Sequence, residues 1–157
     1  MQTLIAYFSW SGHTVKIAKK IAAETSADLF RIERQVPYSQ DYETCAYKEA
    51  KEEIDQKVRP EIKTPLPDIQ KYDNIIVAFP IWWYTSPLPV WKFLESYPDW
   101  KGKKIYLFAN SYTDDYTYME NALKDARSSV KNAKVEAGLF NQEIEKLDEW
   151  LIERHLK

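Results

Sequence analysis

The chain has 157 residues, the length of one ordinary domain, and a single domain spanning 1–157 is expected. Its 22 basic and 24 acidic residues give a formal charge of -2, so no basic excess exists to neutralise a nucleic-acid backbone, and nucleic acid is excluded as the expected partner. Hydrophobic residues make up 45% and aromatic residues 15%, which is too apolar for disorder and points to buried rings or a site for a flat ligand.

In chain order, residues 3–8 form the first expected strand, a short apolar run that ends in turn chemistry. No charged leader precedes it and no apolar run is long enough to span a bilayer, so a cytoplasmic protein without membrane attachment is expected. Ile17, Ala18, Ile21 and Ala22 then make an apolar stripe opposite Lys16, Lys19, Lys20 and Glu24, which predicts a helix over 15–25. Residues 28–33 alternate apolar and polar like an edge strand.

A more polar helix is expected over 42–57, where Cys45, Ala46, Ala50 and Ile54 supply a thin apolar edge. The lone Cys45 has no partner for an internal disulfide or a cysteine-based zinc site and reads as a small apolar residue. Residues 58–73, with Pro60, Pro65 and Pro67, read as a surface connection. A second buried strand follows at 74–79, then a helix striped by Val90, Phe93, Leu94 and Tyr97, then a strand at 104–109. Met119, Ala122, Leu123, Ala126 and Val130 mark a helix that begins near Tyr116. A short strand at 134–139 closes on Gly138 and Asn141, and Ile144, Leu147 and Leu151 stripe a last helix. Five strands alternating with five helices imply right-handed crossovers and an α/β fold whose parallel sheet is covered on both faces.

The first expected strand runs directly into Ser9-Trp10-Ser11-Gly12-His13-Thr14 and then a helix. Ser9, Ser11 and Thr14 offer hydroxyl donors, Gly12 opens a backbone conformation closed to other residues, and the helix amino terminus adds free N–H groups and a positive dipole end. That chemistry suits a phosphate monoester. No Lys or Arg lies within 9–14, so neutral donors would hold the anion, unlike the lysine-bearing loop of nucleoside triphosphatases. The plainer reading is that Ser11 or Thr14 only caps the helix.

The strand at 74–79 delivers Pro80-Ile81-Trp82-Trp83-Tyr84-Thr85-Ser86-Pro87 at the same sheet edge. Ligands of open α/β sheets bind at the carboxyl ends of strands, where strand order reverses. In a five-stranded sheet of order 2-1-3-4-5, strands one and three meet at that reversal, and the two loops would flank one crevice. Paired tryptophans there offer flat apolar walls for an aromatic ring system; the plainer reading packs one of them into the core or a dimer contact.

These motifs make the chain resemble the flavodoxin family, in particular its short-chain members whose third strand ends in Pro-Ile-Trp-Trp, and the resemblance covers nearly the whole length. It implies a three-layer flavodoxin-like fold holding one FMN. Ser9, Trp10, Ser11, Gly12, His13 and Thr14 are then expected at the FMN phosphate, and Pro80, Ile81, Trp82, Trp83 and Tyr84 at the isoalloxazine ring. Similar proteins carry a glycine after the paired tryptophans and a glycine-rich loop after strand four. Here Tyr84 and the run Asn110-Ser111-Tyr112-Thr113-Asp114-Asp115-Tyr116 stand in those places. A tyrosine held at positive φ costs about 1 to 2 kcal/mol. Ser111, Tyr112 and Tyr116 are candidate contacts along the ring edge, although either tyrosine is equally readable as a surface residue.

The resemblance implies electron transfer or a small FMN-dependent oxidoreductase, partnered by a redox protein or a small electron donor or acceptor, in a monomer or weak homodimer. A flavin-dependent quinone or NAD(P)H reductase shares every motif. A module that has lost flavin and binds protein is the non-enzymatic alternative. Hydrolysis is excluded: the chain has no Gly-x-Ser-x-Gly elbow, and His155, the one histidine besides His13, lies at the carboxyl tail. Metal ligation is not expected. A receiver-like signalling domain is excluded because Ser9-Trp10 and Phe79-Pro80 stand where its acidic residues are needed.

Overall fold

The computed structural model describes residues 2–157. The apolar runs form β1 (Thr3–Tyr7), β3 (Asn74–Pro80) and β4 (Lys103–Asn110), flanked by the edge strands β2 (Asp28–Arg31) and β5 (Ala133–Phe140). All pairings are parallel, in the order β2-β1-β3-β4-β5. Both faces of this sheet are covered, which is why its central strands are apolar throughout instead of alternating.

Alternate residues of each strand feed two cores. Leu4, Ala6, Ile75, Val77, Ile105 and Leu107 face α3 (Leu88–Glu95) and α4 (Tyr116–Ser129), together with the buried Cys45. Ile5, Tyr7, Ile76, Ala78, Tyr106 and Phe108 face α1 (His13–Thr25) and a carboxyl-terminal helix, Leu147–Glu153. The architecture is the expected three-layer α/β sandwich.

Three elements differ from expectation. Helix α1 starts at His13, two residues before Val15, because Gly12 at φ +93 turns the chain into it. The polar helix expected over 42–57 runs unbroken over 42–56, but its middle, Thr44–Ala50, is π-wound before the α-helical part α2 (Lys51–Gln56). The last helix is preceded by a 3-10 stretch, Asn141–Lys146, so the α-helical part, α5, is Leu147–Glu153. At the β4–β5 ladder a bulge lies between Leu107 and Ala109. A Cβ at Gly138 would come within 2.5 Å of the Phe108 ring and 2.6 Å of the Leu107 carbonyl, so only glycine fits this close approach.

Candidate functional site

The carboxyl ends of β1, β3 and β4 bring both sequence motifs to one edge. In the loop after β1, the cap position of α1 is Gly12, which has no side chain to cap with, and the side chain that reaches the first turn is that of Ser9. The reading in which Ser11 or Thr14 serves only as a cap is therefore not realised. Ser9 Oγ accepts from the Val15 N–H at 3.4 Å, and Ser11 Oγ lies 3.3 Å from His13 Nδ1. Thr14 is buried, and the space around the Gly12 α-carbon is open, with no atom within 4 Å of where a Cβ would be. The first turn of a helix that starts on glycine, beside hydroxyls and open space, is chemically suited to an anion.

Arg31 adds a cation that the loop's own sequence lacks: from the tip of β2 its guanidinium donates to the Ser9 carbonyl at 3.1 Å. The loop itself holds no Lys or Arg, as its sequence says, and the topology, which sets β2 beside β1, brings this cation to its backbone.

After β3 the chain reverses through Trp82-Trp83-Tyr84-Thr85. The N–H of Trp82 donates to the Thr85 carbonyl at 2.8 Å, and the Thr85 N–H returns to the Trp82 carbonyl at 3.3 Å. The two central residues, Trp83 at φ +49 and Tyr84 at φ +73, are both left-handed, the geometry of a type I′ turn. Glycine would be the ordinary choice, so the tyrosine keeps the glycine conformation and carries its strain. Helix α4 holds the turn in place: Asn121 Nδ2 donates to the Tyr84 carbonyl at 2.9 Å, and Thr85 Oγ1 donates to Asp125 at 2.5 Å.

The paired tryptophans have different surroundings. Trp82 is wedged edge-on between Phe8 and Tyr38, each 5.2 Å away between ring centroids, and packs on the core. Trp83 stands at the mouth, where its indole N–H donates to the Ala46 carbonyl of the π-helical segment at 2.8 Å. That segment is the wall the sequence motifs did not announce. A cavity of about 330 Å³ is lined by Ile81, Trp82, Trp83, Tyr84, Ser111 and Tyr112, expected at the ring or its edge, by Trp10, expected at the phosphate, and by Tyr42, Cys45, Ala46, Tyr47, Ala50 and Tyr118. None of these residues is charged. Rings run round its rim in a chain from Trp10 through Tyr42, Tyr47, Trp83 and Tyr84 to Tyr118, with neighbouring centroids 5.5 to 6.5 Å apart.

Other expected site residues lie elsewhere. Gly12, His13 and Thr14 belong to the helix start and Pro80 to the end of β3, while Tyr116 opens α4; none of them lines this cavity. Tyr112 is fully exposed at its edge. The loop after β4 is pinned by the Ser111 N–H donating to Asn141 Oδ1 at 2.8 Å, and Asp115 caps α4 by accepting from the Thr117 N–H at 3.0 Å.

The segment behind the cavity is locked by a buried polar network. Arg34 pairs with Glu49 and Glu53, each at 3.1 Å, and Tyr38 donates its hydroxyl to Glu53. Burial raises the Glu53 carboxyl above its ordinary range and, with Glu53 alongside, pushes the Tyr38 hydroxyl far up. Burial also pushes the Cys45 thiol up to about 11. Among the described residues no cluster could hold a metal ion, and no helix is long and apolar enough to cross a membrane.

The flavodoxin family profile matches residues 2–154, and the chain belongs to that family. A candidate flavoprotein of Bacteroides eggerthii is similar in structure, with 27% identity, a TM-score of 0.83 and 99% of each chain covered. A Lactobacillus acidophilus flavoprotein solved in complex with FMN shares the fold at 24% identity and TM-score 0.78, over 95% of this chain and 97% of its own. An NADH:FMN oxidoreductase shares it more distantly, at 15% identity and TM-score 0.57, over 99% of this chain and 88% of its own. No curated protein matches the sequence.

Proposed function

We propose that this protein binds one FMN and serves as an electron carrier or a small oxidoreductase. The observation that carries this is a pairing on one sheet edge: a glycine-started helix terminus ringed by the hydroxyl residues Ser9, Ser11 and Thr14, and an aromatic cavity with no charged lining residue. FMN has one part for each, a terminal phosphate and a flat ring. Membership of the flavodoxin family and the FMN complex of the Lactobacillus acidophilus relative support the reading.

In this reading Ser9, Ser11, Gly12 and Thr14 hold the phosphate, and Trp83, Tyr84 and Tyr112 border the ring. Bound FMN supplies the redox chemistry; the chain supplies orientation and electrostatics. A reductase acting on small molecules is the second reading, and the uncharged rim of exposed Tyr42, Tyr47, Tyr84 and Tyr112 favours it. Charge complementarity steers protein partners, whereas this rim offers flat, neutral rings.

The visible spectrum of the purified protein tests the proposal. One FMN per chain is expected, and no flavin absorbance after incubation with excess FMN would overturn it. Replacing Ser11 and Thr14 together by Ala should weaken FMN about fivefold to twenty-thousandfold, from roughly 0.5 to 3 kcal/mol for each of two hydrogen bonds, and riboflavin far less.

A further inference from the structure

A second cavity, of about 430 Å³, opens at the tips of β1 and β2, and the two cavities have Trp10 alone in common. The indole N–H of Trp10 donates to the Ser39 carbonyl at 3.0 Å, which fixes the ring as a partition. The chemistry on its two sides is opposite. The ring cavity has no charged lining, whereas this one is lined by Arg31, Arg34 and Lys63 against a single carboxylate, Glu33. Ser9 and Ser11 add hydroxyls, and Phe8, Trp10 and Tyr38 an aromatic wall.

The three cations are not equally committed. Arg34 is bound to Glu49 and Glu53 and lies 3.7 Å over the Tyr38 ring. Arg31 and Lys63 share Glu33 at 3.6 and 3.7 Å, with all three side chains about half exposed. Such exposed pairs contribute little to stability, so a dianion can replace Glu33 at small cost. Arg31 is the last residue of β2 and sits opposite Tyr7 in the ladder, beside the strand that carries the proposed phosphate loop. In dinucleotide-binding sheets this part of the site reads the adenosine ribose, and an arginine there accommodates a 2′-phosphate.

We propose that this cavity is a second nucleotide site, which takes the adenosine 2′-phosphate end of a nicotinamide dinucleotide phosphate. Arg31 and Lys63 contact the 2′-phosphate, and the adenosine lies along the wall that includes Trp10. The assignment of this nucleotide as electron donor rests on the FMN reading above; the site itself needs no flavin. Its position beyond the Trp10 partition leaves the neutral cavity to the rings.

The test is calorimetric titration of FMN-loaded protein with 2′,5′-ADP, which carries the adenosine and both phosphates but no nicotinamide. One 2′,5′-ADP per chain is expected, bound at least tenfold more tightly than 5′-AMP. Lys63→Gln should weaken it at least tenfold. The Lys63 side chain has Glu33 as its partner, and its backbone N–H keeps the bond to the Glu33 carbonyl, so this variant retains the fold. Arg31→Gln should weaken it similarly, and Arg31→Lys should restore part of the loss. No binding up to millimolar concentration, or an affinity unchanged from the parent in either charge-removing variant, overturns the site. Displacement of FMN by 2′,5′-ADP also overturns it, because the anion would then occupy the FMN phosphate loop. Should the protein take up no FMN, the earlier reading fails, and the same titration on flavin-free protein still decides this one.

Discussion

The side-chain amide of Asn121 donates to the Tyr84 carbonyl at 2.9 Å, so a residue of α4 holds a tyrosine whose φ is +73. The strain expected at this position is present in the folded chain itself. Tyr84→Gly should relieve about 1 to 2 kcal/mol of left-handed strain and lose about 0.4 to 1 to the greater freedom of unfolded glycine. A net stabilisation of up to about 1.6 kcal/mol is expected from urea unfolding, while Asn121→Ala should cost about 0.5 to 1.5. A less stable Tyr84→Gly would show that the packing of Tyr84 on Tyr118, 6.0 Å away, outweighs the strain.

The two tryptophans should separate stability from affinity. Trp82, enclosed by Phe8 and Tyr38, is a packing residue, and Trp82→Ala should cost about 3 kcal/mol in denaturant unfolding. Trp83 stands at the cavity mouth, and Trp83→Ala should lower FMN affinity by about one to two decades, equivalent to roughly 1 to 3 kcal/mol of ring stacking. Unchanged affinity for Trp83→Ala in a fluorescence titration would remove this residue from the flavin contact.

Glu53 gives a pH signature. Burial raises its pKa above the ordinary 4.5, against the opposing hydrogen bonds from Tyr38 and Arg34. A carboxyl that holds its proton more tightly when folded adds stability that is complete below the unfolded pKa and is lost as pH rises through the folded pKa. Relative to Glu53→Gln, the parent protein should therefore lose ground as pH is raised from below 4.5 toward neutrality. Denaturation midpoints at successive pH values measure this, and a shift in the parent's favour would mean that Arg34 overrides burial.

Cys45 should be a slow nucleophile. With its thiol pushed up to about 11, thiolate is scarce near neutral pH, and alkylation by iodoacetamide should keep accelerating beyond pH 9. FMN should slow the reaction further, since Cys45 lines the ring cavity. A rate that levels off near pH 8.5, the ordinary thiol value, would contradict the burial argument.

The central strands were legible because a parallel sheet buried on both faces demands unbroken apolar runs, as in Ile75, Ile76 and Val77. Both motif loops were legible for a related reason: glycine, hydroxyls and paired tryptophans are conspicuous immediately after such runs. The helix behind the cavity was legible with its edge of Cys45, Ala46 and Ala50, but that Tyr42 and Tyr47 line the cavity with them was not, because the π-helical winding of Thr44–Ala50 departs from the 3.6 period that decides which residues share a face. Arg31 escaped a loop-centred reading because its bond to the Ser9 carbonyl spans 22 positions and exists only once β2 lies beside β1.

The π-helical segment Thr44–Ala50 has a consequence for how this site can diverge. An i→i+5 winding accommodates one residue more than an α-helical path of the same course. Deleting one residue there would let the stretch run as ordinary α-helix while its flanks keep their course. The carbonyls of the wide turn would be drawn back into the helix ladder, and the Ala46 carbonyl would no longer face the Trp83 indole. The sheet and both motif loops would be untouched. In this fold, ligand shape can thus change by the gain or loss of a single codon, in one step, where substitutions would have to accumulate.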